Sequence, residues 1–306
     1  MFQAKKALFI YCVSPVHMGA GTAIGLIDNP IQRERHTDYP MMAGSGLKGA
    51  VRHRFQADGW SKDLIARIFG PETNASEHAG AISFGDAQLV AFPVRCTKRA
   101  YVYATSPTAL ARAARTLALV GVDSDWPATI TETGHCKLVN PALLNDARLH
   151  LEAFEFTAHM DQSLMEVSEW LSQHALPSQH ALPSNTAYDF FREKLKMDLV
   201  LLSDEDFSYF VKNATVVEPH VRINNETGTA DDGGLFYTEN LPPESLLLAP
   251  LMATAERRDK GTMSAKDVIA AVLEGDEKLK GLNGQLVQVG GDATTGRGQV
   301  IITAVE

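Results

Sequence analysis

Between Lys5 and Val16 the chain is dominated by β-branched, aromatic and other apolar residues, and such a run reads as a buried strand. A buried strand needs a core around it. The chain has 306 residues, 45% of them hydrophobic, which is ample for one large or two modest domains. The two lysines at the head of the run faintly imitate a secretion signal. Ser14 and Pro15 break the apolar stretch, however, and no small-residue cleavage site follows directly. No other run approaches the ~20 apolar residues of a membrane helix. Cys12, Cys96 and Cys136 lie far apart with no CxxC pair, so neither a disulfide framework nor a zinc site is indicated, and a reducing cytoplasm fits.

Beyond the strand, His17 to Pro40 is a loop rich in glycine and polar residues, turning at Asp28-Asn29-Pro30. Gly44 to Phe55 (GSGLKGAVRHRF) reads as a loop feeding a helix, with Leu47, Ala50, Val51 and Phe55 at helical spacing. Residues 81–94 read as two short strands or one bent one, where Asp86 is expected simply to end a strand. Ser106 to Leu119 is a helix with Ser106 as N-cap and Pro107 at its first position. The acidic, amphipathic middle third carries SQHALP twice in tandem, at Ser172–Pro177 and Ser178–Pro183. Two copies cannot build a solenoid, so a duplicated surface loop is expected, and the proline between His174 and His180 argues against a metal site. Residues 216–239 read as a hairpin, VVEPHVRI and GLFYTE, joined by a polar tip from Asn224 to Gly233. The chain closes as strand, Gly-rich turn, strand (LVQVGGDATTGRGQVIITAV).

The glycines invite cofactor readings that fail on context. Gly44-Ser45-Gly46-Leu47-Lys48-Gly49 satisfies GxGxxG literally, but the preceding HTDYPMMA is not a parallel core strand. His17 to Gly25 does follow a strand, yet Pro30 would break the helix it needs. A phosphate-binding Walker loop fails because Leu47 precedes Lys48 and Gly49 follows it. What the glycines share is close backbone approach. Exposed N–H groups beside Lys48, Arg52 and Arg297 suit a phosphate cradle, and turns carrying solvated cations fit the same residues. The net charge of −9 argues against a freely roaming nucleic-acid binder. Residues 1–55 nevertheless hold seven Lys/Arg against three acids, a local +4, so a basic working face on an acidic body is compatible with the composition.

Taken in order, the first strand ending in His17, the loop IDNPIQRE, then YPMMAGSGLKGAVRHRF, FGDAQLVAFPVR, RINNETGTADDGGLFYTENLP and VGGDATTGRG resemble the backbone-subunit family of type III-B CRISPR (Cmr) effectors. That family, the fourth Cmr protein, belongs to the RAMP superfamily. The resemblance spans residues 5–302 and is weakest at 120–210. GSGLKGAVR alone suggests only the superfamily, whereas IDNPIQRE with LFYTENLP is more specific. The resemblance implies an α+β fold: a single domain over 1–306 with a modified ferredoxin-like (RRM-like) core, an inserted helical region at about 120–212 and a β-hairpin thumb at about 213–245. It implies a cytoplasmic subunit that stacks on further copies of itself and on other Cmr subunits along guide crRNA. The thumb would distort the guide–target duplex at regular intervals. Guide-backbone contacts would come from Gly44, Ser45, Gly46, Lys48 and Arg52, and from Gly290, Gly291, Arg297 and Gly298.

The chemistry implied is divalent-metal-dependent cleavage of target RNA, with Mg or Mn as the ion, requiring Asp28. Cyclic 2′,3′-phosphate ends imply in-line attack by the 2′-hydroxyl, which displaced nucleotides permit. Asp28 would serve as general base or as metal ligand, and both roles fit. His17 is a second acid/base, or else a loop contact to the RNA backbone. Tyr237 and Glu239, as hairpin residues, are expected near the same scissile site. Two alternatives compete: a non-catalytic crRNA scaffold, and a guide-processing endoribonuclease of the same superfamily acting without metal. The related type III-A backbone subunit is disfavoured by IDNPIQRE and by the length.

Overall fold

In a computed structural model, the structure describes residues 1–305 except 22–24, 74–76, 125, 127–129, 178–186 and 277. In chain order the first elements are β1 (Ala4–Cys12), β2 (Met41–Met42), α1 (Gly44–Ala57), α2 (Lys62–Phe69), β3 (Ile82–Phe84), β4 (Ala87–Cys96), β5 (Ala100–Thr105) and α3 (Pro107–Leu119). The middle of the chain supplies β6 (His135–Leu138), β7 (Arg148–Leu151), β8 (Phe154–Met160), α4 (Gln162–His174), α5 (Asp189–Met197), β9 (Leu199–Leu202) and α6 (Asp204–Asn213). A hairpin of β10 (Val216–Ile223) and β11 (Ala230–Asn240) follows, then β12 (Leu246–Ala253), α7 (Ala265–Leu273), β13 (Gln285–Gln288) and β14 (Gln299–Ala304).

Twelve strands join one sheet whose path runs β13-β14-β1-β12-β4-β5-β9-β6-β8-β7, with β2 and β3 hanging from it. A bridge between Cys96 and Leu151 brings β7 back to β4, so the second half curls into a ring. The first half is antiparallel, and its chain order β1-α1-β4-β12-α7-β14 gives the spatial order β14-β1-β12-β4. Strand β1 explains its own composition. Leu8, Ile10 and Cys12 face a core shared with Leu47, Val51 and Phe55 of α1 and with Val268 and Val272 of α7. Ala7, Phe9 and Tyr11 face a second core with Leu110 and Leu117 of α3 and Leu164, Val167 and Leu171 of α4. A strand covered on both faces reads as a continuous apolar run rather than an alternating one. All three cysteines are free and buried.

Several local expectations need correction. The strand expected over 5–16 ends at Cys12, because Ser14-Pro15 leaves the ladder; Val16 returns only as an isolated bridge to Leu241. GSGLKG is not a loop but the first turns of α1, which begins at Gly44 itself. Its glycine serves proximity: a Cβ at Gly44 would lie 2.3 Å from the Phe84 carbonyl. The first SQHALP copy is not a surface loop either. It ends α4, His174 packs on Trp170, and Ala175 and Leu176 are fully buried. The second copy, with His180, lies outside the described residues. The hairpin tip is shorter than Asn224–Gly233, since pairing resumes at Ala230, and Asn224 closes the turn through Thr229. Helix α3 starts as its sequence requires, with Ser106 Oγ accepting from Ala109 N at 3.2 Å.

Candidate functional site

The loop after β1 and the root of the hairpin are built as one piece. Asn29 N donates to the Tyr237 carbonyl at 3.0 Å and Glu239 N donates to the Asn29 carbonyl at 2.9 Å, so the loop pairs with β11 as a short added strand. This pairing sets Asp28 beside the hairpin. Its Oδ2 accepts from the Tyr237 backbone N–H at 2.7 Å. Asp28 is exposed, and Oδ1 has no hydrogen-bond partner among the described residues. A carboxylate held by one oxygen and open at the other is fixed in place yet able to act.

His17 stands at the same root. Its Nδ1 lies 2.7 Å from the Glu239 carbonyl oxygen, which can only accept, so Nδ1 carries a proton and Nε2 is the nitrogen left without that contact. A Cβ at Gly19 would come within 3.0 Å of Nε2, so only a residue without a side chain leaves that nitrogen uncrowded. The closing loop buttresses His17 from behind. Gly291 N donates to the His17 carbonyl at 2.9 Å, and a Cβ on Gly290, at φ +78°, would sit 2.2 Å from that oxygen. Gly298 N is likewise spent on the Pro15 carbonyl at 2.8 Å. The amides of Gly291 and Gly298 therefore hold protein rather than phosphate. Arg297 is not a solvated cation either: it pairs with Glu218 of β10 and is mostly buried, tying the closing loop to the hairpin. Both findings correct the cradle expected there.

Glu239 is in the neighbourhood, but both of its oxygens are engaged within the chain. Its side chain is 3% exposed; Oε1 accepts from Arg33 Nη2 at 2.5 Å and from Thr215 Oγ1 at 2.8 Å, and Oε2 from Ile31 N at 3.1 Å. Arg33 also donates to the Asp38 and Val211 carbonyls. The carboxylate thus clamps the loop to the hairpin from below. Tyr237 presents its side chain on the exposed face of the hairpin with Val221 and Leu235, its opposite-strand neighbours being Pro219 and Val221.

The amino end of α1 adjoins this root. Gln32 joins them, donating to the Gly19 carbonyl at 3.1 Å and accepting from Ala43 N at 2.9 Å, and the Met18 side chain lies against Gly46. Asp86 does more than end a strand, since its Oδ1 accepts from Gly44 N at 2.8 Å and caps the helix. Ser45 and Gly46 are exposed, and first-turn N–H groups have no intrahelical partner. Lys48 and Arg52 follow one turn apart. Burial, followed by the neighbouring charges of Arg52 and Arg257, lowers the Lys48 pKa from its ordinary value, so three cations converge on this face. Gln32, Arg33 and Arg257 were not singled out in the sequence; the only trace was a polar Gln-Arg pair inside IDNPIQRE.

Among the described residues no three His, Cys, Asp or Glu side chains converge as a metal-holding group. Asp28 Oδ1, a hard oxygen open to solvent, is the atom at this root that would hold a Mg or Mn ion.

A family model described as the RAMP superfamily matches residues 9–301, and the chain belongs to that superfamily. Within it the chain falls in the Cmr4 family: it is 33% identical over 299 residues to the CRISPR system Cmr endoribonuclease Cmr4 of Pyrococcus furiosus, covering 97% of this chain and 94% of that protein. The CRISPR system CMR subunit Cmr4 of Saccharolobus solfataricus is 25% identical over 265 residues, covering 82% of this chain and 85% of that one. The crystal structure of oligomeric Cmr4 from Pyrococcus furiosus is similar with a TM-score of 0.73 at 27% identity, covering 99% of this chain and 98% of that one. A type III-B Cmr-beta structure bound to cognate target RNA shares the fold, with a TM-score of 0.71 at 18% identity, covering 99% of this chain and 98% of that one. No helix among the described residues is long and apolar enough to cross a membrane.

Proposed function

We propose that this chain is the repeated backbone subunit of a type III-B CRISPR effector, holding guide crRNA against α1 and cutting the guide-paired target RNA at Asp28. On this reading β1-α1-β4-β12-α7-β14 is a ferredoxin-like core, and the β10–β11 hairpin is the thumb that distorts the duplex. Copies of the chain pack along the guide with other Cmr subunits. The observation that carries the reading is the Asp28 carboxylate, anchored through Oδ2 to the hairpin backbone with Oδ1 open.

In the reaction proposed, the target 2′-oxygen attacks its own phosphorus, forming the O2′–P bond while the P–O5′ bond breaks. The products are a 2′,3′-cyclic phosphate and a 5′-hydroxyl, the departing O5′ taking a proton. A divalent ion bound there supplies charge neutralisation and a lowered hydroxyl pKa. Asp28 Oδ1 holds that ion or accepts the 2′-hydroxyl proton. His17 Nε2 is the second group able to exchange a proton at this root. Glu239 positions Asp28 by clamping the loop, and Tyr237 positions it through its amide.

Asp28→Ala should abolish target cleavage, by about 10²–10⁴-fold or more, while leaving RNA binding and assembly intact. Its loss removes one hydrogen bond, worth about 1 kcal/mol, and no cation. The check is a gel of end-labelled target RNA at equal occupancy, with and without EDTA. The same regularly spaced fragments at the wild-type rate would leave Asp28 a turn residue. Cleavage that persists in EDTA would favour the metal-free processing enzyme instead.

A further inference from the structure

The β10–β11 hairpin is a two-stranded sheet of its own, and its two strands are attached to the body unequally. Strand β11 is held along its outer edge through its main chain: Tyr237 bonds Asp28 and Asn29, and Glu239 bonds Asn29 and His17. The outer edge of β10 pairs with no strand among the described residues, and Pro219 on it has no N–H to offer. Among the described residues, one ion pair, Glu218 with Arg297, is the sole hydrogen bond or salt bridge from β10 to anything beyond the hairpin. A ribbon held along one edge rolls about that edge unless its far strand is tied down.

Arg297 ties it down from a fixed base. Its carbonyl accepts from Gln288 Nε2 at 2.7 Å, and on the same loop Gly298 and Gly291 hold the Pro15 and His17 carbonyls. The Arg297 side chain is 13% exposed and that of Glu218 33%, so solvent and salt reach the pair only in part. Glu218 stands opposite Thr238, and directly opposed residues share a face of the ribbon. Asn29 bridges Thr238 from the other side, and its Nδ2 donates to Thr238 Oγ1 at 3.4 Å. Arg297 therefore grips the far strand of a three-stranded root whose near strand carries Asp28. To reach an RNA phosphate its guanidinium would first have to leave Glu218.

We propose that Arg297 and Glu218 act as one positioning unit for cleavage, fixing the roll of the hairpin over the loop that bears Asp28, and that Arg297 is not a guide-phosphate contact. This rests on the reading of the hairpin as the thumb and of Asp28 as the cutting residue. The pair keeps the face carrying Val221, Leu235 and Tyr237 turned one way. Without it the hairpin presents a varying face to the duplex, and a misplacement of about 1 Å at a reacting centre costs about 10²-fold.

The test compares wild type with Arg297→Gln, Glu218→Gln, the double variant and Arg297→Lys, at a temperature where all are folded. Each single change to Gln should slow target cleavage by the assembly on the order of tenfold to a hundredfold at saturating RNA, with guide-length RNA bound no more weakly. The double variant should cut no slower than either single one, because both break the same contact. Arg297→Lys should keep most of the rate, since the pair uses one guanidinium nitrogen. Hairpin roll is read without RNA, from the distance distribution between spin labels at Glu226→Cys on the tip and Lys266→Cys on α7, the native cysteines being buried. The distribution should be narrow in wild type and broad in the Gln variants. A wild-type cleavage rate in either Gln variant, losses that add in the double variant, or a distribution that stays narrow overturns the proposal. A salt dependence of RNA binding shallower by about 0.7 in Arg297→Gln alone makes Arg297 a phosphate contact and overturns it too. If Asp28→Ala cuts at the wild-type rate, the cleavage reading falls first, and the spin-label distances still decide whether the pair holds the hairpin.

Discussion

Asp28 and Glu239 are two carboxylates at one hairpin root with opposite fates, and their surroundings decide which is which. Asp28 has one oxygen engaged and sits in solvent, whereas Glu239 is buried with both oxygens engaged by Arg33, Thr215 and Ile31. Removing a partner from a buried, hydrogen-bonded charge pair costs about 3–5 kcal/mol, because the other charge is stranded. Glu239→Ala should therefore lower the unfolding free energy by about 3 kcal/mol, the low end because Arg33 keeps two carbonyl acceptors and some exposure. Denaturant titration checks it. Asp28→Ala, by contrast, should lose cleavage with nearly wild-type stability. Equal destabilisation by the two changes would erase the distinction drawn between positioning and chemistry.

At the scale of elements, the hairpin and its return turn carry two further predictions. Residues beyond the Val221–Leu235 pair are exposed apart from a few, so replacing 222–234 by a two-residue turn should leave the body folded. Target cleavage should fall sharply while guide binding persists, as a gel and a binding titration would show together. The turn from β11 into β12 holds Glu244, whose backbone is left-handed at φ +70° and whose Oε2 is buried without a partner. Burial pushes its carboxyl up to about 7. Between its ordinary value near 4.5 and 7 the folded chain binds the extra proton, so this group's contribution to stability falls as pH rises through that window and is flat above it. Glu244→Gln should thus gain melting temperature relative to wild type on going from about pH 5 to about pH 8. A constant difference between the two proteins would refute the assignment. Elements of this kind were readable in the sequence where one local rule dominates, as in the Ser106-Pro107 helix start and the doubly covered β1. They were unreadable where the governing contact is remote. Gly44 looks like a turn residue until Phe84 is placed against it, and Arg297 looks like a free cation until Glu218 arrives from 79 positions away. The first SQHALP copy failed differently: the duplication itself suggested a surface loop, and the helix before it was not recognised.

For the molecule as a whole, the net charge of −9 hides a cationic strip of Lys48, Arg52 and Arg257 on one side of the sheet. Lys48→Ala with Arg52→Ala should weaken guide-length RNA binding and make its salt dependence shallower, by about 0.7 in logarithmic slope for each phosphate no longer neutralised. An unchanged slope across a salt titration would remove the strip from the RNA surface. The order of the loop and hairpin blocks was legible because IDNPIQRE and LFYTEN lie in sequence as blocks; their joining into one root was not, since it is made by hydrogen bonds to main-chain groups of residues 29, 237 and 239, far apart in sequence. That joining has a consequence for how such a subunit can vary. The group that seats Asp28 is the peptide N–H of residue 237, which every amino acid except proline supplies. The side chain at 237 is therefore free to be exchanged to suit whatever nucleotide it meets, with the carboxylate staying in register. If the proposed function holds, the cutting interval in a stack of copies would be measured from hairpin to hairpin, a ruler graduated in backbone amides.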